Sequence, residues 1–163
     1  MTKCTARGGA PENPESASVP TDRKLADGQY ADHWVLCEAE RAKGYVRPLR
    51  RAYKHVGISG PKYLLREITD EERERYSKLG YIKFEAYPKS DSPVTGRFWT
   101  QAELDKIGKG CGTVTTMPRL CAETFAREAG YYGSTFCCGC GAYFPVGAAG
   151  EFVWDGTDER VGT

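Results

Sequence analysis

The chain has 163 residues, of which 40% are hydrophobic and 28% are charged, and its formal net charge is +1. This composition is typical of an ordinary globular protein, and the length suits one domain. No apolar run approaches the roughly 18 residues of a membrane span, and the N-terminus lacks the hydrophobic core of a signal peptide, so we expect a cytoplasmic protein with no membrane partner.

The first part of the chain, residues 1–27, is rich in Pro, Ser, Gly, Thr and Ala and has scarcely any large apolar side chain. Such a segment cannot bury enough surface to offset the entropy lost on ordering. We predict a disordered N-terminal tail here, followed by a single domain over residues 28–163. Cys4 lies in this tail and is a poor candidate for a preformed site.

Two segments before residue 57 carry conflicting signals. In "QYADHWVLCEAERAKG", Tyr30, Trp34 and Cys37 have helical spacing, whereas "HWVLC" alone is typical of a buried strand, and both interpretations stay open. The next segment, "GYVRPLRRAYKHV", has β-branched and aromatic residues but contains Pro48, which is unsuited to a central strand. We therefore predict an edge strand with a basic face in this second segment.

Two capping boxes mark helix starts in the middle of the chain. Thr69 with Glu72 follows a predicted strand, "KYLLREI", and Thr100 with Glu103 precedes "QAELDKIG". Between them, "YIKFEAY" alternates strictly, with Glu85 on the side of Tyr81, Lys83 and Tyr87 and opposite Phe84, and predicts a half-buried strand.

The C-terminal part combines a helix with a closing strand. "PRLCAETFAREAG" predicts a helix with Pro118 in its first turn and its end near Gly130, and "EFVWDG" predicts a strand and turn. Together, these elements indicate an α+β fold of short antiparallel strands with two or three short helices.

Seven cysteines in a compartment that keeps thiols reduced predict metal binding or free thiols, not disulfides. Four of them follow the spacing C-x9-C-x15-C-x2-C: Cys111, Cys121, Cys137 and Cys140. Tetrahedral zinc sites take four thiolate or imidazole ligands, and a C-x2-C turn supplies two of them. We predict structural zinc in a metal-binding part at about residues 108–155, with Cys138 pointing away from the metal. Thiolate sites accept iron as well, so the spacing leaves iron open as the alternative metal.

The segment "CCGCGAYF", residues 137–144, resembles the C-x2-C-G-x2-aromatic knuckle of zinc ribbons and rubredoxin-like sites. Gly141 follows the second cysteine of the knuckle, where a positive φ angle costs least for glycine. The resemblance implies a C-terminal zinc ribbon-like substructure with Cys137 and Cys140 as ligands. The first half-site departs from the pattern, because a ribbon has a second C-x2-C pair where this chain has C-x9-C.

The other two ligands are less constrained by the spacing. Cys111 lies between two glycines, which let the backbone approach an ion, so it is the best third ligand. Cys121 lies on a face of the predicted helix, where a buried structural role is equally open. Cys37, His33, His55 or a water molecule are alternatives for the fourth position.

Thiol chemistry is the alternative to a structural metal. The Cys137/Cys140 pair could serve a thiol- or metal-dependent enzyme, but "GAYFPVGAAG" follows it and cannot open a good helix. Redox pairs of the thioredoxin type lie at a helix N-terminus, where the dipole lowers the pKa of the thiol. No segment matches a phosphate-binding loop, so we expect no nucleotide cofactor.

A basic segment suggests a nucleic-acid partner. From Arg41 to Arg66 there are eight Lys or Arg residues and no Asp or Glu, although such a segment can equally be a solvated face. Cations contact phosphates and aromatic rings stack on unpaired bases. The candidate residues are Arg47, Arg50, Arg51, Lys54, Tyr45 and Tyr53.

The chain from "GRFWTQAELDKIGKGCGTVTTMP" through "EFVWDGTDERVGT" is similar to small proteins carried by bacteriophages and by actinobacterial or related genomes. This resemblance implies an accessory protein working in a bacterial host cytoplasm. We therefore interpret the sequence as a zinc-stabilised small binding protein that contacts nucleic acid or a partner protein.

Overall fold

A computed structural model of the protein describes residues 3–7, 24–88 and 95–163, with the backbone alone for residues 3–7 and residue 32. These residues combine helices with antiparallel strands, which confirms the predicted α+β class. None of the helices in the described ranges is long and apolar enough to cross a lipid bilayer.

Ten strands and four helices lie in the described residues, against the two or three helices expected from the sequence. The strands are β1 (Lys3–Arg7), β2 (Asp32–Leu36), β3 (Ala52–His55), β4 (Leu65–Glu67), β5 (Tyr81–Ala86), β6 (Gly96–Thr100), β7 (Val114–Thr116), β8 (Ser134–Cys137), β9 (Ala142–Pro145) and β10 (Phe152–Trp154). The helices are α1 (Glu38–Arg41), α2 (Asp70–Arg75), α3 (Gln101–Asp105) and α4 (Arg119–Arg127).

The chain divides into two compact units. Unit 1 consists of Met1–Val56 and Gly110–Thr163, and unit 2 consists of Gly57–Lys109. Unit 2 is therefore inserted in the sequence of unit 1, between the end of β3 and the loop before β7.

The N-terminal residues of unit 1 contribute one strand. β1 pairs antiparallel with β2, and the described part of the predicted tail consists of this strand and of residues 24–27. The rest of the predicted tail, including residues 8–23, lies outside the described residues. The segment "QYADHWVLCEAERAKG", for which the sequence favours neither helix nor strand, contains both elements. It forms β2 and then, after Cys37, the short helix α1.

A three-stranded antiparallel sheet organises unit 1, in the order β10-β3-β7. Tyr53 in β3 pairs with Trp154 on one side and with Thr115 on the other. β3 is thus a central strand, and the prediction of an edge strand is wrong. The reason is that β3 begins at Ala52, so Pro48 lies outside the hydrogen-bonded ladder.

The core of unit 1 combines α4 with β2, β3, β8 and β10. Phe125 of α4 meets Trp154 of β10 edge-on at 5.8 Å between ring centroids, and Tyr53 meets Phe152 at 5.3 Å. Full burial of one such aromatic side chain stabilises the fold by about 1.5–3 kcal/mol. The predicted helix after Pro118 and the predicted closing strand are both confirmed as α4 and β10.

Unit 2 contains a three-stranded antiparallel sheet, in the order β4-β5-β6, with α2 and α3. Both predicted capping boxes are present. The Thr69 hydroxyl accepts a hydrogen bond from the Glu72 amide, and the Glu72 carboxylate accepts one from the Thr69 amide. Thr100 and Glu103 repeat this arrangement at the start of α3.

The predicted strand "YIKFEAY" is confirmed as β5, and its Glu85 side chain is buried. Its carboxylate accepts hydrogen bonds from the Trp99 indole at 3.2 Å and from the Tyr63 amide at 2.9 Å. A register shift between Tyr81 and Lys83 also interrupts the pairing with β6. The sheet is therefore covered beside Glu85, which simple alternation does not predict.

Candidate metal centre

The first part of the centre lies where β3 ends. Beyond the β3–β7 ladder, the His55 amide donates to the Thr113 carbonyl at 3.2 Å, and the Gly112 amide donates to the His55 carbonyl at 2.9 Å. A Cβ atom on Gly110 would lie 2.1 Å from the His55 carbonyl oxygen, so only glycine fits there. The pairing continues past the strand ends and brings Cys111 beside His55.

The second part is the turn between β8 and β9. Cys137 is the last residue of β8, and its carbonyl accepts a hydrogen bond from the Gly141 amide at 2.8 Å. Gly141 has φ +65°, as the knuckle pattern predicts. A Cβ on Gly139 would lie 3.1 Å from the Cys111 sulfur, so the turn packs closely on the loop that carries Cys111.

One nitrogen and three sulfur atoms converge between these two parts. All four ligand atoms lie within 4.8 Å of one another, and the residues are His55, Cys111, Cys137 and Cys140. The Cys111 and Cys137 sulfurs are 3.4 Å apart, and the Cys140 sulfur is 3.5 Å from His55 Nδ1. In a tetrahedral zinc site, two sulfurs lie about 3.8 Å apart, and a sulfur and a nitrogen lie about 3.5 Å apart. The residues present therefore match the donor set and the size of a metal site.

The His55 side chain is buried and contacts two aromatic rings and a carboxylate. It is 3% exposed, and its ring packs against Phe144 at 4.4 Å and Phe152 at 5.0 Å between centroids. Its Nε2 lies 3.1 Å from the carboxylate of Glu151, which is 5% exposed. Because Nε2 is engaged by Glu151, Nδ1 is the atom directed at the sulfurs.

The thiols of the cluster differ in acidity. Two hydrogen bonds from Thr113 lower the pKa of Cys111 to about 6. The bond from the Thr113 side chain has the larger effect, and the bond from its backbone amide the smaller one. Loss of hydration, followed by hydrogen bonding with Cys111 and Cys137, raises the pKa of Cys140 to about 12. Several thiolates close together repel one another, so a cation is needed for all of them to ionise together.

Cys121, which the sequence analysis predicts as a ligand, lies outside this cluster of candidate ligand atoms, and His55 is its fourth member. Cys121 lies on α4 with its side chain in the core of unit 1, 6% exposed. Burial raises the pKa of its thiol to about 11. The helix holds this side chain in an apolar environment, where it packs as a small hydrophobic residue.

Strand alternation, and not the cysteine spacing, is the sequence pattern that indicates a buried His55. In a strand, alternate residues face the same side, so His55 shares a face with Tyr53, and both are buried. A buried imidazole needs polar partners. Glu151 was not recognised from the sequence, because no local pattern links it to His55 96 residues away.

The remaining candidates for the fourth position lie outside the cluster. Cys37 is buried at the start of α1, and His33 Nε2 lies 3.5 Å from the Tyr143 hydroxyl. The Cys138 sulfur accepts a hydrogen bond from the Thr115 hydroxyl, and the Cys138 amide donates to the same hydroxyl at 3.0 Å. Cys138 therefore faces β7 and not the other sulfurs.

The two tyrosines proposed for base stacking have different environments. Tyr53 is only 2% exposed, and its hydroxyl donates to the Phe136 carbonyl and accepts from the Thr135 hydroxyl. It cannot offer a ring face to a base, because it lies in the core. Tyr45 is 44% exposed and keeps an accessible ring.

The basic residues proposed with them are partly engaged within unit 1. Arg50 forms an ion pair with Glu159 and lies over the Trp154 ring at 5.0 Å. Two further guanidinium groups donate to carbonyls, Arg47 to that of Thr163 and Arg51 to that of Met117. Lys54 is exposed on the sheet, with its neighbours in the chain directed inward.

Comparison with known proteins adds no relative: no family model matches the chain, and neither curated proteins nor solved structures give a match. The donor set and the geometry are therefore what mark this cluster as a candidate metal centre. Three thiols and one imidazole in a closed arrangement are a common donor set of structural zinc sites.

Proposed function

We propose that this protein binds one Zn²⁺ ion through His55, Cys111, Cys137 and Cys140, and that the ion stabilises unit 1. The observation that carries the proposal is the convergence of four ligand atoms within 4.8 Å. Thiolate and imidazole ligands favour zinc over magnesium, calcium or manganese. With four protein ligands, a tetrahedral site leaves no position for water or substrate, so the role of the ion is structural.

The ion would join three separate segments of unit 1. His55 ends β3, Cys111 lies in the loop before β7, and the two remaining ligands lie at the end of β8 and in the β8–β9 turn. This loop and turn are rich in glycine, which loses much conformational entropy on folding. Zinc binding contributes directly to folding free energy in such segments, on the order of 10–16 kcal/mol in small zinc-finger peptides.

A structural metal leaves the activity of the protein to its surface, and we propose that this activity is binding. The segment after α1 supports such a role, because it combines exposed apolar side chains with cations. Tyr45, Val46 and Leu49 are 44%, 64% and 39% exposed, and the exposed Arg51 follows them. Large exposed apolar residues beside cations suit nucleic acid or an acidic protein partner. The bacteriophage-type accessory context rests on sequence resemblance alone.

Metal analysis tests the zinc proposal directly. Protein purified without added metal is expected to contain about one zinc per chain by inductively coupled plasma mass spectrometry. Cys111→Ser and Cys137→Ser should lose most of it, since serine is a poor zinc ligand. Cys138→Ser is the matched control, because it changes a thiol in the same turn that faces Thr115. A folded wild-type protein without stoichiometric metal would contradict the proposal.

One observation favours thiol catalysis as a second candidate. Cys140 and Glu151 contact opposite nitrogens of His55: the Cys140 sulfur is 3.5 Å from Nδ1, and the Glu151 carboxylate is 3.1 Å from Nε2. A thiol, an imidazole and a carboxylate in this order resemble the nucleophile arrangement of cysteine hydrolases. The raised pKa of Cys140 opposes this role, because the thiolate is the nucleophile.

Alkylation separates the two candidates. In the zinc-bound protein, iodoacetamide should modify Cys138 and leave Cys111 and Cys140 protected until a chelator is added. A thiol enzyme should instead be modified at Cys140 first, with no change when the chelator is present. Peptide mass spectrometry after short exposure measures the order of modification.

A further inference from the structure

The carboxylate of Glu151 is the one polar side chain that contacts the outer nitrogen of His55 among the hydrogen bonds of the described residues. Both side chains are buried, at 5% and 3% exposure. Burial of a carboxylate is unfavourable unless the group is hydrogen-bonded, and the contact with His55 supplies such a partner.

The backbone fixes Glu151 with respect to this nitrogen. Its amide donates to the Pro145 carbonyl at 2.9 Å, and its carbonyl accepts from the Val56 amide at 2.9 Å. Glu151 is thus joined to the end of β9 and to the residue that follows His55. The Phe144 and Phe152 rings pack against the imidazole and restrict its rotation about the Cβ–Cγ bond.

When the Glu151 carboxylate accepts the hydrogen bond at this 3.1 Å contact, the donor is the N–H of His55 Nε2. A neutral imidazole with a proton on Nε2 has its lone pair on Nδ1, and Nδ1 is the nitrogen that lies 3.5 Å from the Cys140 sulfur. We propose that Glu151 is a positioning residue that holds His55 in the tautomer which binds the metal through Nδ1. This inference rests on the zinc function proposed above.

The proposal predicts an ordered series of metal affinities. Loss of an outer hydrogen-bond partner of a ligand histidine costs about 10- to 100-fold in metal affinity. Glu151→Ala should therefore weaken zinc binding by about this factor. Glu151→Gln should weaken it less, because the amide oxygen can still accept from Nε2 but carries no charge.

Glu123→Gln provides a matched control for burial. Glu123 is a glutamate of unit 1 with 7% exposure, and it pairs with Arg41 and Arg119 instead of a ligand. Its substitution should lower stability without changing the zinc affinity of the folded protein. A purely structural role for Glu151 would make the two substitutions behave alike.

The experiment combines zinc competition with a chromophoric chelator and nitrogen-15 NMR of the His55 ring. In the wild-type zinc protein, we expect metal-bound Nδ1, a protonated Nε2, and an affinity above those of both Glu151 variants. Metal bound through Nε2, or equal affinities for wild type, Glu151→Gln and Glu151→Ala, would overturn the inference while leaving zinc binding in place. A wild type that binds no zinc would instead remove the proposed function itself. The NMR result on wild type needs no variant, so misfolding of Glu151→Ala does not affect it.

Discussion

At the scale of single residues, the candidate metal centre has no space for a side chain at position 139. A Cβ at this position would lie 2.3 Å from the Thr113 hydroxyl oxygen and 3.1 Å from the Cys111 sulfur. Thr113 in turn supports the Cys111 thiolate through its amide, at 3.4 Å from the sulfur. The absence of a side chain at Gly139 therefore lets one ligand loop lie directly on the other.

We predict that Gly139→Ala weakens zinc binding by about 10-fold and destabilises the protein by about 1–3 kcal/mol, since overpacking displaces the Thr113 side chain and the sulfur beside it. Gly133→Ala is the control, because a Cβ there meets no atom within 4 Å. Chelator competition and urea unfolding measure the two effects. Equal zinc affinities for the two variants would contradict this account of the site.

At the scale of elements, α4 explains why Cys121 lies outside the cluster of candidate ligand atoms. The helix buries its residues from Leu120 to Ala126, and Leu36 of β2 donates its amide to the Thr124 hydroxyl at 3.2 Å. Rotating Cys121 toward the other sulfurs would remove these packed groups from the core. The helix therefore keeps the thiol as a core side chain.

Accordingly, Cys121→Ala should retain about one zinc per chain while losing about 1 kcal/mol of stability, the cost of removing a small buried side chain. Cys137→Ala, which removes another buried thiol, should lose the metal as well. Metal analysis and thermal unfolding distinguish the two outcomes. Zinc loss in Cys121→Ala would show that this residue is a ligand after all.

The elements also show which features a sequence can reveal. Both capping boxes were predictable because Thr69 and Thr100 each interact with a glutamate only three residues away. The knuckle with Gly141 is equally local. The central position of β3 was not, because its partners β7 and β10 are far away in the sequence. His55 was one alternative among several for the same reason: strand pairing, not spacing, brings it to the cysteines.

At the scale of the whole molecule, unit 2 is inserted between two segments of unit 1 that meet in space. The chain leaves unit 1 after Val56 and returns at Gly110, and an ideal Cβ on Gly110 would lie 2.4 Å from the Val56 amide nitrogen. His55 and Cys111, two of the proposed metal ligands, adjoin these two points. The proposed ion would thus join the two segments of unit 1 that precede and follow residues 57–109.

Because the two ends meet, we predict that unit 1 folds without the insertion. Replacing residues 57–109 with a flexible linker of about four residues should leave a folded protein that still binds about one zinc per chain. Circular dichroism and metal analysis test this expectation. The same replacement in a His55→Ala background is the control, and it should lose the metal. A metal-free or unfolded product from the first variant would show that unit 1 depends on unit 2.

The central claim is that three sulfurs and one nitrogen of this chain bind a single zinc ion. X-ray absorption at the zinc K edge, on protein purified without added metal, tests it most directly. The account predicts about three Zn–S bonds near 2.3 Å and one Zn–N bond near 2.0 Å. A folded protein with no stoichiometric zinc, or a coordination shell dominated by oxygen, would contradict it.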